Sequence, residues 1–139
     1  MKKYSLLFSF IFIMVIVLSS CSKTRDGLGL DTINNSARTG KWEVVHQIYI
    51  GTSSDPVTTD SLTAGDAYAK FQSDNKVHYY NEDGVDNPSD ATTYSFLDTK
   101  TMIYGGDEYN IQENLAASFS KMTLQRNTAT GREVYIFAR

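Results

Sequence analysis

Few side chains in this chain are suited to covalent chemistry. Among 139 residues there is one cysteine, Cys21, and two histidines, His46 and His78. A nucleophilic triad needs a Ser, Thr or Cys beside a histidine that a carboxylate orients, and no Gly-x-Ser-x-Gly elbow is present. A structural or catalytic zinc wants three or four clustered His, Cys or carboxylate ligands, which two separated histidines do not supply. The acidic stretch Asn81-Glu-Asp-Gly-Val-Asp-Asn-Pro-Ser-Asp90 invites comparison with a calcium loop. With Gly84 as the sixth position of an EF-hand loop, Tyr79 falls where an aspartate is required and Asp90 replaces the final glutamate. It reads instead as a solvated hairpin loop, with Asp83-Gly84 and Asn87-Pro88 as turn dipeptides. No pair of acids is set across rigid strand ends as glycoside hydrolysis demands. The sequence therefore predicts no catalytic set, no metal and no cofactor. What it offers is tyrosine: nine, eight of them after residue 20. Aromatic walls with hydroxyl tips suit a small-molecule pocket, and they also serve ordinary half-buried strands. On strand parity, His46 shares a face with Trp42 and Ile48, whereas His78 lies between Val77 and Tyr79 and faces the other way. The positions expected to line an open interior are His46, Ile48, Tyr79, Tyr94 and Tyr109.

The segments that must carry these residues fall into three parts. Residues 1–20 combine Lys2 and Lys3, an apolar run from Leu6 to Leu18, and small residues at Ser19 and Ser20. The run is shorter than the roughly 20 residues that span a bilayer, and its order is that of a cleavable export signal. Leu18-Ser19-Ser20-Cys21 resembles the lipobox of bacterial lipoproteins. That resemblance implies cleavage before Cys21, lipid on its thiol, and attachment to a membrane of the bacterial cell envelope, with the outer membrane the expected site. An unpaired cysteine in an exported chain calls for such an explanation, and several acyl chains anchor where one would be marginal. Cleavage would leave 119 of the 139 residues, one domain's worth, and loss of Lys2 and Lys3 would take the formal charge from −3 to −5. An acidic chain without a basic cluster is a poor partner for nucleic acid. Residues 21–39 are polar and turn-rich, without either periodicity, and read as a lipidated tether. Leu28, Leu30 and Ile33 give that stretch the alternative of folding back over one end of the domain.

From Gly40 to Arg139 short β segments alternate with turn signals. The expected strands run over 41–50, 67–72, 76–81, 91–98, 101–104, 108–112, 120–126 and 132–139, with 51–66 as a long polar connection. Hairpin-length links and no helix of two turns argue for an antiparallel all-β domain. Eight strands suffice to close a meander into an up-and-down barrel; a two-sheet sandwich is the competing architecture.

Gly40-Lys41-Trp42, at the head of the first strand, resembles the Gly-x-Trp motif that opens lipocalins and the lipocalin-like domains of bacterial lipoproteins. Tyr109-Asn110-Ile111 and Met122-Thr123-Leu124 resemble late hairpins of those domains. The resemblance implies an eight-stranded barrel over 40–139, with Trp42 across its closed end and an arginine over the indole. Arg139 is the better match for that arginine and Arg126 the alternative. It further implies non-catalytic capture of a small, partly apolar ligand at the cell envelope. Two other roles stay open on the sequence. One is a structural or protein-interaction module with a side-chain-filled barrel that presents loops 53–66 and 82–90. The other is an enzyme or an enzyme inhibitor.

Overall fold

The computed structural model describes residues 25–115 and 117–139; the segment read as an export signal, and Cys21, lie outside the described residues. The described residues are all-β in the main, a single antiparallel sheet of nine strands preceded by a helix. The helix is α1 (Arg25–Arg38). The strands are β1 (Glu43–Ile50), β2 (Thr58–Ser61), β3 (Tyr68–Phe71), β4 (Lys76–Tyr80), β5 (Thr92–Phe96), β6 (Thr101–Tyr104), β7 (Asp107–Ile111), β8 (Lys121–Thr128) and β9 (Gly131–Ala138). Their spatial order is β2-β1-β9-β8-β7-β6-β5-β4-β3. Strands β3 to β9 form a meander; β1 then adds to the far side of β9 over eight residue pairs, from Glu43–Ala138 to Ile50–Gly131. The sheet curls into a half-barrel, and one antiparallel bridge, Trp42 to Ala69, ties the head of β1 to β3. That bridge carries both backbone bonds, at 2.9 and 2.8 Å.

Two expectations need correction. The strand count is nine rather than eight, because β2 lies inside the segment read as a polar connection. Thr58-Thr-Asp-Ser61 has no alternation of apolar residues to betray it. Its pairing comes from β1, which fixes it from Val45–Ser61 to Ile48–Thr58. Being a mostly exposed edge, it needs no apolar face, and its Asp60 suits a strand that must not recruit another chain. The second correction concerns the tether. Residues 25–38 are helical, despite Gly27, Gly29 and a low apolar content. Leu30, Ile33 and Ala37 recur at helical spacing; Ile33 and Ala37 are buried in the core, and Leu30 packs against it. The alternative of folding back is the one the structure takes, for Leu30 and Ile33.

Side chains alternate about the sheet as period two requires. Trp42, Val44, Phe71, Val77, Met102, Met122, Leu124 and Phe137 are wholly or almost wholly buried, in one core cluster with Ile33 and Ala37 of α1. Phe71, Phe119 and Phe137 pack edge-on to Trp42, with centroids 6.0, 5.9 and 6.5 Å away. The last carbonyls of a helix lack partners within it, and here side chains supply them. Trp42 Nε1–H donates to Ala37 O at 2.9 Å, and Arg139 donates to Ser36 O at 3.3 Å and to Thr39 O. The same guanidinium lies 4.7 Å from the Trp42 ring, so one cation serves both the helix end and the indole face. Gly40 turns the chain from helix to strand at a positive φ of 91°, a conformation that favours glycine.

Candidate functional site

At the other end of the half-barrel the interior changes character. Along β9 the inward positions run Phe137, Tyr135, Glu133, and along β1 they run Val44, His46, Ile48. In register these pair as Val44–Phe137, His46–Tyr135 and Ile48–Glu133. Along β9 each step away from Trp42 is thus more polar than the last, and β1 places His46 beside Tyr135. A cavity of about 390 Å³ opens there, walled by Tyr79, Tyr104, Tyr109, Tyr135, Arg126 and Glu133, with Leu62, Thr92, Asp90, Asp107 and Gly105 completing it. The tight turn Gly105-Gly106, both glycines at positive φ (62° and 92°), joins β6 to β7 and sets Tyr104 opposite Asp107, as a two-residue hairpin of this kind does.

Glu133 is the hub. Its Oε1 lies 2.9 Å from His46 Nε2 and accepts from Tyr135 OH at 3.4 Å. Its Oε2 accepts from Tyr109 OH at 3.0 Å and Arg126 Nε at 2.6 Å. β7 and β8 pair at only Asn110–Gln125 and Ile111–Leu124; beyond them Arg126 Nη2 reaches Asp107 Oδ2 at 3.1 Å, and an ion pair continues where the ladder stops. The imidazole of His46 stacks on Tyr135 at 4.3 Å, and Arg126 lies 5.3 Å from the Tyr109 centroid. Across the cavity the Tyr79 and Tyr104 hydroxyls share a hydrogen bond of 2.5 Å.

The electrostatics follow from this wiring. Burial pushes the Glu133 carboxyl up, but the hydrogen bonds from Arg126, His46 and Tyr109 outweigh it and hold the pKa below the ordinary carboxylate range. The phenols move the other way. Burial raises Tyr79, Tyr104 and Tyr109. Burial, followed by the negative charge of Glu133, pushes Tyr135 up to about 12. At neutral pH the cavity therefore holds a fixed anion and four neutral phenols. Glu133, and not the histidine, sits at the centre of the network, with His46 and the hydroxyls arranged around it. That is the reverse of a triad, in which the base is central and takes the nucleophile's proton. The arrangement can orient and hold a bound molecule.

Of the five positions expected to line an open interior, Tyr79 and Tyr109 stand in the wall of this cavity. His46 supports the wall through Glu133. Ile48 is half-buried beside Glu133 in the register and is not part of the lining. Tyr94 belongs to the opposite end: its hydroxyl accepts from Arg38 Nε at 3.0 Å and donates to Gln72 O at 3.1 Å, and its ring stands edge-on to Phe71 at 4.8 Å. Arg126, named as an alternative for Trp42, instead serves the cavity. Sequence reasoning missed Tyr104, Glu133 and Tyr135. The signal was available for the last two, since stepping back by twos from the buried Phe137 puts Tyr135 and Glu133 on the inner face.

His78 lies on the outer face of β4, between two carboxylates. Its Nε2 is 2.8 Å from Asp74 Oδ2 and its Nδ1 is 2.8 Å from Asp86 Oδ2. The hydrogen bond to Asp74 raises the His78 pKa above 6.5, against the effect of burial and with help from Asp86. The hydrogen bond from His78 lowers Asp74 below 3.8. A raised histidine gives stability that is complete below its unfolded pKa and lost as pH rises through its folded one. A depressed aspartate gives stability that is present above its unfolded pKa and lost as pH falls through its folded one. The two contributions overlap between about pH 4 and pH 6.5. The melting-temperature difference between wild type and His78→Gln should be largest in that window and shrink on both sides of it. A difference independent of pH would assign His78 a packing role only.

No family model matches the chain, and no curated protein sequence matches it.

Proposed function

We propose that this chain is a lipid-anchored lipoprotein of the bacterial cell envelope whose lipocalin-like domain binds a small, partly apolar molecule without transforming it. The carrying observation is the divided interior: side chains fill the Trp42 end, while the far end keeps a cavity of about 390 Å³ with four tyrosines in its wall. That volume lies in the lower part of the range for small-molecule sites. The lipocalin-like reading is supported by the curl of the sheet, the Trp42–Ala69 bridge and the position of Arg139 over Trp42. The anchor rests on the sequence from Lys2 to Cys21. Because α1 starts at Arg25, only Ser22, Lys23 and Thr24 separate it from Cys21, a reach of about 14 Å at full extension. The domain then hangs close to the lipid surface.

Two measurements test this. Radiolabelled palmitate fed to expressing cells should label the wild-type chain and not Cys21→Ser; equal labelling of both would remove the anchor. The full chain, in detergent, should be stabilised in a thermal-shift screen by a small amphiphilic compound, and the shift should fall in Tyr109→Ala. Absence of any stabilisation would favour the second reading, a partner-docking module. That reading draws on Ile50, Val57 and Leu62, large apolar side chains exposed around the β2 edge.

A further inference from the structure

The lining of the cavity also bears on the charge of its occupant. Three carboxylates, Asp90, Asp107 and Glu133, face one guanidinium, Arg126, a formal excess of two negative charges. The guanidinium is already engaged twice, by Glu133 at 2.6 Å and Asp107 at 3.1 Å. An anionic ligand would have to displace one of these carboxylates to reach it, in a recess whose walls repel a second negative charge. The tyrosines favour the opposite sign. Their faces carry the negative lobe of the aromatic quadrupole, which attracts cations, and their phenols stay neutral. The protein supplies its own instance: Arg126 lies 5.3 Å from the Tyr109 centroid while carboxylates hold its nitrogens.

From this we infer that the ligand is a small cation with an apolar body, an amine or quaternary ammonium carried on a ring system. The inference rests on the cavity being a ligand site. An ammonium group placed among the phenol faces meets Asp90 and Asp107 at the edge, and the ring packs on the tyrosines. Glu133, with four donors on its two oxygens, acts as a fixed negative wall.

Three probes of nearly equal shape separate the possibilities: tryptamine (cation), tryptophol (neutral) and indole-3-propionate (anion). Each is titrated calorimetrically against the full chain in detergent at neutral pH. The expected order is tryptamine tightest, by about tenfold over tryptophol, with indole-3-propionate weakest. The tryptamine advantage should shrink at high salt, as screening requires, and should narrow in Asp90→Asn. Binding of indole-3-propionate equal to or tighter than tryptamine would overturn the charge inference and leave the ligand site standing. Equal affinity for tryptamine and tryptophol would do the same. Binding of none of the three would remove both the inference and the ligand-binding reading on which it rests.

Discussion

Trp42→Ala is expected to lower the melting temperature of the full chain by more than about 12 °C, the shift that a loss of about 3–5 kcal/mol brings in a domain of this size. The size of the effect follows from how many elements meet at this side chain. The indole is fully buried and touches Phe71 of β3, Phe137 of β9 and Phe119 of the β7–β8 connection. Its N–H closes a carbonyl at the end of α1. Truncation leaves a cavity that three aromatic rings cannot collapse into together, strands Ala37 O and removes the ring under the Arg139 guanidinium. The backbone bridge to Ala69 does not need the side chain, but it loses the packing that holds β1 and β3 together. Trp42→Phe keeps most of the packing and loses the hydrogen bond. It should recover well over half of the stability; a Trp42→Phe variant as unstable as Trp42→Ala would mean that the N–H bond, and not the packing, dominates. Arg139→Ala should cost less than either, because the guanidinium is exposed and its contribution is confined to the helix end and the indole face.

Trp42 also shows what the sequence made legible. Alternation is a local signal, and it marked eight of the nine strands because each buries one face against the core. β2 buries no face, so its residues record nothing of its pairing; β1 imposes it. The helix was hidden for a related reason. Its buried stripe is narrow, Leu30, Ile33 and Ala37, and the surface that makes the stripe useful, the Trp42 end of the sheet, is assembled from strands far along the chain. Parity put Tyr79, Tyr94 and Tyr109 on the inner face, and Tyr79 and Tyr109 stand in the cavity wall, but parity has no coordinate along the barrel axis. Tyr94 and Tyr109 both point inward and lie at opposite ends. The role of Glu133 was the least legible feature. Its significance lies in His46, Tyr109, Arg126 and Tyr135 converging on it, and three of these four come from other strands.

Glu133→Gln is the second large effect, and it should fall on the site more than on the fold. The carboxylate accepts from His46, Tyr109, Tyr135 and Arg126. An amide of the same shape keeps one acceptor oxygen and turns the other position into a donor. On that side two of the four donors then face an N–H group, and of its two ion pairs Arg126 keeps the one to Asp107. Removing one partner from a charge-assisted network costs about 1.5–3 kcal/mol. The lower part of that range applies here, since the Glu133 and Arg126 side chains retain 14% and 32% of their exposure and water can replace some of what is lost. Stability should thus drop by less than in Trp42→Ala. Binding should change more. With the tyrosine hydroxyls released and the negative wall gone, tryptamine affinity should fall by about tenfold or more. Two pH readouts separate this from general damage. Wild-type stability should decline as pH falls through the depressed Glu133 pKa, because a lowered carboxylate contributes above its unfolded pKa and loses that contribution below its folded one; Glu133→Gln should lack that part of the decline. Tyr135 should titrate lower than in the wild type, since burial remains but the charge of Glu133 does not. If Glu133→Gln left both the Tyr135 titration and tryptamine binding unchanged, the four-donor network would not organise the cavity, and Glu133 would be only one polar residue in its wall.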